Sequence, residues 1–94
     1  MEITNLIWLD EVLDKIESKH HVTQTEVEEV LSGRPKIKKM RKGHFLTEYV
    51  YRALGRTTAG RYLVVFFIHK QTGEALILGA RDMDKKERRS YASR

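Results

Sequence analysis

The pattern of apolar and polar positions separates segments of extended and of helical character. Residues 61–68 form a continuous apolar run of β-branched and aromatic side chains, typical of a strand buried on both faces in the middle of a sheet, with Phe66 in the core. A turn at residues 70–73 follows, where Gly73 supplies a positive φ, and residues 74–81 form a second apolar run. The sequence therefore predicts an antiparallel hairpin at the centre of the fold.

Two amphipathic helices are predicted in the N-terminal part of the chain. Apolar side chains recur at helical spacing over residues 9–16, and this helix is expected to end near Lys19. Thr23 and Glu26 have the spacing of a capping box, which predicts the start of a second helix. That helix is expected to stop at Gly33, because glycine is a common C-terminal cap.

The remaining segments complete a small α+β domain. Residues 6–8 are compatible with a short edge strand, residues 37–40 with an edge strand guarded by lysines, and residues 45–54 with a strand that has one polar face. Residues 84–91 predict a short, very polar helix. We expect one domain over residues 1–94: an antiparallel sheet of three to four strands, two N-terminal helices and a short C-terminal helix, with the helices against one face.

Composition excludes several classes of protein. The chain has 94 residues and no cysteine, which rules out disulfides and thiolate chemistry and suits a reducing cytoplasm. No apolar segment approaches the roughly 20 residues of a membrane span, and the acidic N-terminus does not resemble a signal peptide. We expect a soluble, cytoplasmic protein that binds no membrane. No spacing of His, Asp and Glu predicts a metal site, and no cofactor is expected.

The net charge of +5 is unevenly distributed along the chain. Residues 1–33 carry a net charge of −6, residues 34–61 carry +8 and residues 85–94 carry +4. The basic segments flank the central strands, so folding is expected to gather them into one patch that favours a polyanion such as RNA or DNA. The alternative is a basic surface that only keeps the protein in solution.

Three arginines are candidates for binding a phosphate group. Arg52, Arg61 and Arg81 come from strands or strand ends that would lie side by side in an antiparallel sheet. The planar guanidinium matches phosphate oxygens and stays charged, so it suits stabilisation of the charge that builds on a reacting phosphate. For each arginine, a plain surface position is the alternative. Residues 55–60 form either a phosphate-binding loop or a hairpin loop, since the spacing of a phosphate-binding loop is absent.

The predicted last helix carries further candidates on one face. Glu87, Arg88 and Tyr91 share that face with Asp84 through their three- and four-residue spacing. Glu87 either caps the helix together with Asp84, or acts as a base or as the group that orients an arginine. Arg88 would bind phosphate, and Tyr91 would be an acid or a stacking platform. His20 is either a cap or packing residue at a helix end, or a general acid–base.

A set of short motifs, in order and at preserved spacing, resembles a known family over nearly the whole chain: Trp8, Lys15, Lys19-His20-His21-Val22, Arg52, Gly55, Gly60-Arg61-Tyr62-Leu63, Gly79-Ala80-Arg81-Asp82-Met83, Glu87-Arg88 and Tyr91. These residues resemble the BrnT toxins of bacterial type II toxin–antitoxin systems. The resemblance implies a fold similar to the RelE ribonuclease toxins, a metal-independent endoribonuclease activity that inhibits translation and growth, and neutralisation by a BrnA-type antitoxin. The ribbon-helix-helix part of that antitoxin would bind DNA, so this chain would contact DNA only indirectly. The usual Lys-His-Gly motif is Lys19-His20-His21 here, and residues 36–44 are unusually basic.

Together these observations define two sets of site residues. The expected catalytic set is Arg52, Arg61, Arg81, Glu87, Arg88 and Tyr91. The expected RNA-binding set is Lys19, His20, Lys38, Lys39, Arg41, Lys42 and Arg56. The alternative function is a non-catalytic RNA- or DNA-binding regulatory module that uses the same basic patch.

Overall fold

The computed structural model describes residues 1–42 and 48–93, and for Arg41 and Lys42 it describes the backbone only. Within these residues the chain forms five strands and three helices: β1 (Leu6–Ile7), α1 (Asp10–His20), α2 (Gln24–Ser32), β2 (Lys36–Lys42), β3 (Tyr49–Arg56), β4 (Tyr62–His69), β5 (Ala75–Asp82) and α3 (Lys85–Ala92). The α+β class predicted from the sequence is confirmed. Of the strand predicted at residues 45–54, residues 45–47 lie outside the described part of the chain.

The sheet has the order β1-β5-β4-β3-β2. The four long strands pair antiparallel, as predicted, and β2 lies at one edge. The short strand β1 pairs parallel with β5, through Leu6 opposite Ala75 and Ile7 opposite Leu76. The described sheet is therefore mixed and five-stranded, which corrects the prediction of a purely antiparallel sheet of three to four strands. A two-residue strand is too short for its direction to be read from a hydrophobic pattern.

The sheet is covered on both faces, which corrects the expectation that all helices lie on one. α1 and α2 pack over the face formed by Ala53, Val65 and Phe67, which we call the two-helix face. α3 packs on the opposite face, against Leu54 and Val64, which we call the α3 face. Because alternate residues of a strand point to opposite faces and β4 is apolar on both, a second cover is required.

The ends of the helices are capped by local contacts. Capping boxes are present at Thr23 with Glu26 and at Asp84 with Glu87, as the spacing of both pairs predicts. α1 ends differently, because His21 adopts the left-handed conformation with a φ of 53°. The amide of His21 donates to the carbonyl oxygen of Glu17, and this geometry is one that glycine adopts more easily.

Trp8 connects the N-terminal segment to the rest of the fold. Its side chain packs against the main core on the two-helix face. It also lines a cleft of about 420 Å³ between the N-terminal segment and α2, on whose other side lies Leu31. Its indole Nε1 is buried and has no hydrogen-bond partner among the described residues.

No helix within residues 1–42 and 48–93 is both long and apolar enough to cross a membrane.

Candidate active site

Arg81 and Glu87 form an ion pair with two hydrogen bonds on the α3 face. Arg81 lies at the end of β5, and its Nη1 and Nη2 donate to Oε1 and Oε2 of Glu87 at 2.7 and 3.0 Å. Nη1 also donates to the carbonyl oxygen of Asp82 at 3.1 Å. A guanidinium has five N–H donors, so two of those on Arg81 are left without a partner in the described part of the chain. The side chain of Arg81 is 36% exposed, so part of it is open to a ligand.

The charges of this pair are mutually stabilised. Burial alone would raise the pKa of Glu87, but hydrogen bonds from Arg81 and from the Asp84 amide, with the charge of Arg81, hold it below its ordinary value. The pKa of Arg81 is raised, chiefly by the hydrogen bond to Glu87. A carboxylate with a lowered pKa and three donors on its oxygens is a weak base. The geometry therefore favours Glu87 as cap and as the group that orients Arg81.

A small cleft beside Arg81 collects further ionisable side chains. It has a volume of about 180 Å³ and lies where α1 passes along β5. Lys15 and His20 of α1 line it together with Arg81, and Phe66 and Gly79 form part of its wall. His20 therefore lies in the same cleft as the best-positioned arginine. Two cations and a histidine around one opening define a site suited to a phosphate group.

Arg52 lies on the same face of the sheet. It is opposite Phe66 of β4 on one side and Lys38 of β2 on the other. It also lines a hollow of about 280 Å³ that reaches Glu87 and Lys86 of α3. Arg52 thus shares a hollow with α3 and with Glu87, the partner of Arg81.

Arg88 and Tyr91 attach α3 to the sheet through Tyr62. The guanidinium of Arg88 lies 4.1 Å from the centre of the Tyr62 ring, and that of Arg56 lies 4.7 Å from it. The Tyr91 ring meets the Tyr62 ring edge-on, with centres 6.0 Å apart. Lys36 lies over the Tyr91 ring at 5.9 Å. These contacts make an anchored surface of alternating cations and aromatic rings.

Arg61 does not join this group, because it lies on the two-helix face. Its Nε and Nη2 donate to Asp82 at 2.8 and 3.1 Å, and Nη1 and Nη2 donate to the carbonyl oxygens of His21 and His20 at 2.7 and 2.9 Å. Nη1 also donates to Glu26 at 3.2 Å. All five N–H donors are bound, so the guanidinium has none left for a substrate. Arg61 ties α1, α2 and β5 together, and its hydrogen bond to Asp82 is the main cause of the lowered pKa of that carboxyl group.

The other predicted RNA-binding residues are divided between locations. Lys38 lies on the α3 face, whereas Lys39 turns to the other face, over the Tyr49 ring at 4.1 Å. Lys19 is exposed at the end of α1. The side chains of Arg41 and Lys42 lie outside the described part of the structure.

Gly55 and Arg56 belong to β3, and the following residues form a hairpin loop to β4 in which several amides are already hydrogen-bonded. The amide of Thr58 donates to Glu29 at 3.0 Å, and the amide of Arg61 donates to the hydroxyl of Thr57 at 3.0 Å. The Glu29 carboxylate already accepts an amide that a phosphate would need as a donor. The geometry therefore favours a plain hairpin loop over a phosphate-binding loop.

Several residues of the site were not predicted as site residues. Lys15, Gly79 and Tyr62 belong to the motifs that carry the family resemblance, but Lys15 and Gly79 meet in one cleft only because α1 packs along β5. Tyr62 and Lys36 join the site only through their contacts with α3.

Comparison with known proteins adds no assignment. No protein-family model matches the chain, and no curated protein matches it. Within the described residues, His, Asp and Glu side chains do not gather in a group of three that would hold a metal ion. The functional conclusion therefore depends on the arrangement around Arg81.

Proposed function

We propose that the chain is an endoribonuclease toxin of a type II toxin–antitoxin system, a BrnT-type protein with a RelE-like fold that cleaves RNA without a metal and so inhibits translation and growth in the cytoplasm. The observation that carries the proposal is the cleft in which Arg81, oriented by Glu87, lies with Lys15 and His20. A positioned guanidinium beside a histidine supplies charge stabilisation and proton transfer in one place.

The reaction is an attack by the 2′-hydroxyl of RNA on the adjacent phosphorus. The bond from the 2′-oxygen to phosphorus forms, the bond from phosphorus to the 5′-oxygen breaks, and the products are a 2′,3′-cyclic phosphate and a 5′-hydroxyl. Arg81 stabilises the charge on the phosphate oxygens through its two remaining donors, and Lys15 adds a second positive charge. His20 carries the proton, because the two ring nitrogens of an imidazole can accept and donate one. Its imidazole accepts the 2′ proton and its imidazolium donates a proton to the 5′-oxygen.

The strand on either side of the cleaved bond would lie on the α3 face. Arg52 and Lys38 extend the positive surface along neighbouring strands, while Arg56 and Arg88 add cations around Tyr62. In this arrangement Arg88 and Tyr91 bind RNA and hold α3 in place. Arg61 supports the site from the opposite face by fixing the end of α1, where His20 lies.

The proposed partner is a BrnA-type antitoxin whose ribbon-helix-helix part binds DNA, so this chain would reach DNA only through it. An antitoxin segment with acidic and apolar residues would match the cations and half-exposed rings of the α3 face. We expect it to cover Arg81 and α3, and therefore to slow hydrogen exchange of the α3 amides. Unchanged exchange in α3 on addition of the antitoxin would rule out direct blocking of the site.

A second candidate is a non-catalytic RNA- or DNA-binding module. The observation in its favour is that the carboxylate nearest to Arg81 is bound and has a lowered pKa, so the described cleft has no strong base apart from His20. Cations and aromatic rings are sufficient to bind a single strand without cutting it.

The test that separates the two candidates is incubation of purified protein with RNA in the presence of a chelator. The nuclease produces fragments with 2′,3′-cyclic phosphate ends, and expression of the protein arrests growth unless the antitoxin is present. His20→Gln abolishes cleavage but leaves binding largely intact, whereas His21→Gln, a change at the exposed neighbouring histidine, leaves cleavage intact. Binding without fragments in the unaltered protein would instead establish the binding module.

A further inference from the structure

Gly79 leaves an opening in the α3 face, beside a register shift between β4 and β5, that no close contact among the described residues requires. A Cβ atom placed on Gly79 would have no atom of the described residues within 4 Å. Other glycines have a local reason: Gly60 and Gly73 have φ values of 94° and 93°, and a Cβ on Gly55 would lie 2.9 Å from Cγ1 of Val30. The absence of a side chain at Gly79 therefore opens space on the surface without easing any internal contact.

This opening joins two hollows into one groove. The cleft of about 180 Å³ that holds Lys15, His20 and Arg81 lies on one side of Gly79. A hollow of about 280 Å³ that reaches Met40 lies on its other side. Phe66, Leu78 and Gly79 line both hollows, so the groove runs continuously across the position where a side chain would stand.

Phe66 forms the floor of the groove at this point. It is the cross-strand partner of Gly79, and its side chain is only half-buried, unlike that of Phe67, which is 0% exposed. The guanidinium of Arg81 lies 5.4 Å from the centre of the Phe66 ring. One end of the groove is thus cationic, and its middle is an accessible aromatic surface.

We propose that this groove holds a nucleobase of single-stranded RNA, stacked on Phe66 above Gly79, while the neighbouring phosphate lies on Arg81. The proposal rests on the proposed function and names the part of the substrate that the site reads. A nucleotide is flat and apolar on its base and anionic on its phosphate, which matches the order of surfaces along the groove. Stacking on aromatic side chains is the general means by which proteins hold unpaired bases.

The charge of the groove favours a nucleotide over an apolar peptide side chain. Lys15 and Arg81 at one end, and Arg52 opposite Phe66 with Lys38 on the next strand, would surround such a side chain with cations. A base would pack on the aromatic middle of the groove, and its phosphate would bind the cationic end. Only an occupant with a flat ring and an anion uses the whole groove.

The test compares the binding of two ligands and fills the opening at Gly79 with a side chain. Binding of a short single-stranded RNA is measured by fluorescence anisotropy beside binding of an abasic ribose-phosphate chain of the same length. The unaltered protein should bind the base-bearing RNA more tightly. Gly79→Val should weaken that binding about tenfold and leave abasic binding unchanged, since stacking of one base contributes a factor of this order. Gly79→Ala, which fills less of the gap, should have a smaller effect in the same direction.

Controls keep the result interpretable. Valine suits a strand and a Cβ at this position meets no described atom, so Gly79→Val should keep the unfolding midpoint of the unaltered protein. Thr25→Val adds an apolar group at an exposed position of α2 and should change neither affinity. If Gly79→Val proves unstable, the two ligands are compared on Gly79→Ala instead. The amide signal of Gly79 in the unaltered protein is also followed during titration with each ligand.

The outcomes separate this inference from the proposed function. Cleavage of RNA by the unaltered protein, with equal affinity for base-bearing and abasic chains, would overturn the base site and leave the nuclease standing. Equal affinities of the unaltered and Gly79→Val proteins for base-bearing RNA would do the same. Failure of the unaltered protein both to bind and to cut RNA would overturn the proposed function, and the base site with it.

Discussion

Arg81 and Glu87 are joined by two parallel hydrogen bonds, of 2.7 and 3.0 Å, between the end of β5 and the first turn of α3. The same carboxylate accepts the amide of Asp84 at 2.9 Å and thereby caps the helix. One buried side chain thus fixes both the orientation of the guanidinium and the position of α3.

Replacement of Arg81 by alanine is expected to lower the rate of RNA cleavage by about a hundred- to a thousandfold, the usual effect of losing one donor that stabilises a transition state. Arg81→Lys should recover only part of this, because lysine keeps the charge but lacks the planar fork. The measurement is cleavage by folded protein, together with growth arrest on expression. Arg89→Ala, at an exposed cation of the same helix, is the matched control and should leave activity unchanged. Full toxicity of Arg81→Ala would place the active site elsewhere.

Arg61→Ala should instead reduce stability. The change removes five donors from Asp82, Glu26 and two helix-terminal carbonyl groups, and of these acceptors Glu26 still accepts from the amide of Thr23. We expect a loss of about 2 to 4 kcal/mol in the free energy of unfolding, measured by urea denaturation. Arg34→Ala, at an exposed position, should cost much less. A fully stable Arg61→Ala protein that no longer cleaves RNA would show that Arg61 acts on the substrate after all.

Acid should weaken the fold through Glu87 and Asp82. Both have a pKa below the ordinary values of 4.5 and 3.8, so the folded protein binds fewer protons than the unfolded chain. Their contribution to stability is therefore complete above the unfolded pKa and is lost as the pH falls through the folded pKa. Urea midpoints measured between about pH 5 and pH 2 should fall, and fall less steeply in Glu87→Gln. An equal slope in Glu87→Gln and in the exposed-residue control Glu2→Gln would contradict this origin.

His21→Gly should stabilise the protein. His21 has a φ of 53°, which a residue with a Cβ adopts at a cost and glycine adopts freely. We expect the free energy of unfolding to rise by about 1 kcal/mol. Ser18→Gly, within the same helix, should lower it by about 0.5 kcal/mol, since glycine disfavours a helix interior. A decrease in both variants would mean that the His21 side chain contributes more than its backbone costs.

Binding of RNA to the α3 face should depend steeply on salt. With about four phosphate contacts, from residues such as Arg81, Lys15, Arg52 and Lys38, affinity should fall roughly fiftyfold for a fourfold rise in salt, because bound counterions are released from the RNA. The measurement is a titration at several salt concentrations. Constant affinity over this range would show that the basic patch is not the RNA surface.

The sequence predicts the elements of the fold better than their arrangement. Periodicity and capping boxes locate the helices, and the apolar run at residues 61–68 locates the central strand. A run that is apolar at every position does not show which of two adjacent phenylalanines is enclosed: Phe67 is the fully buried one and Phe66 faces the groove, contrary to expectation. For the same reason the pattern could not show that α3 covers the second face.

The sequence also could not show which of the candidate arginines belongs to the site. Arg61 and Arg81 are equivalent in sequence, since both are arginines at strand ends, and only the partners around each distinguish them. The acceptors of Arg61 come from α1, α2 and β5, far away in the chain, whereas the main acceptor of Arg81 is Glu87, six residues away. The local pairing was within reach of sequence reasoning, and the long-range network was not.

The fluorescence of Trp8 reports on the folding of the protein. The chain contains one tryptophan, and it packs against the core on the two-helix face, on the other side of the sheet from Arg81 and α3. Its fluorescence should therefore change when the N-terminal segment leaves α2 or the core opens, but not when a strand of RNA covers the far face. The fluorescence of Trp8 can thus follow unfolding of the unlabelled protein without interference from RNA bound on the far face.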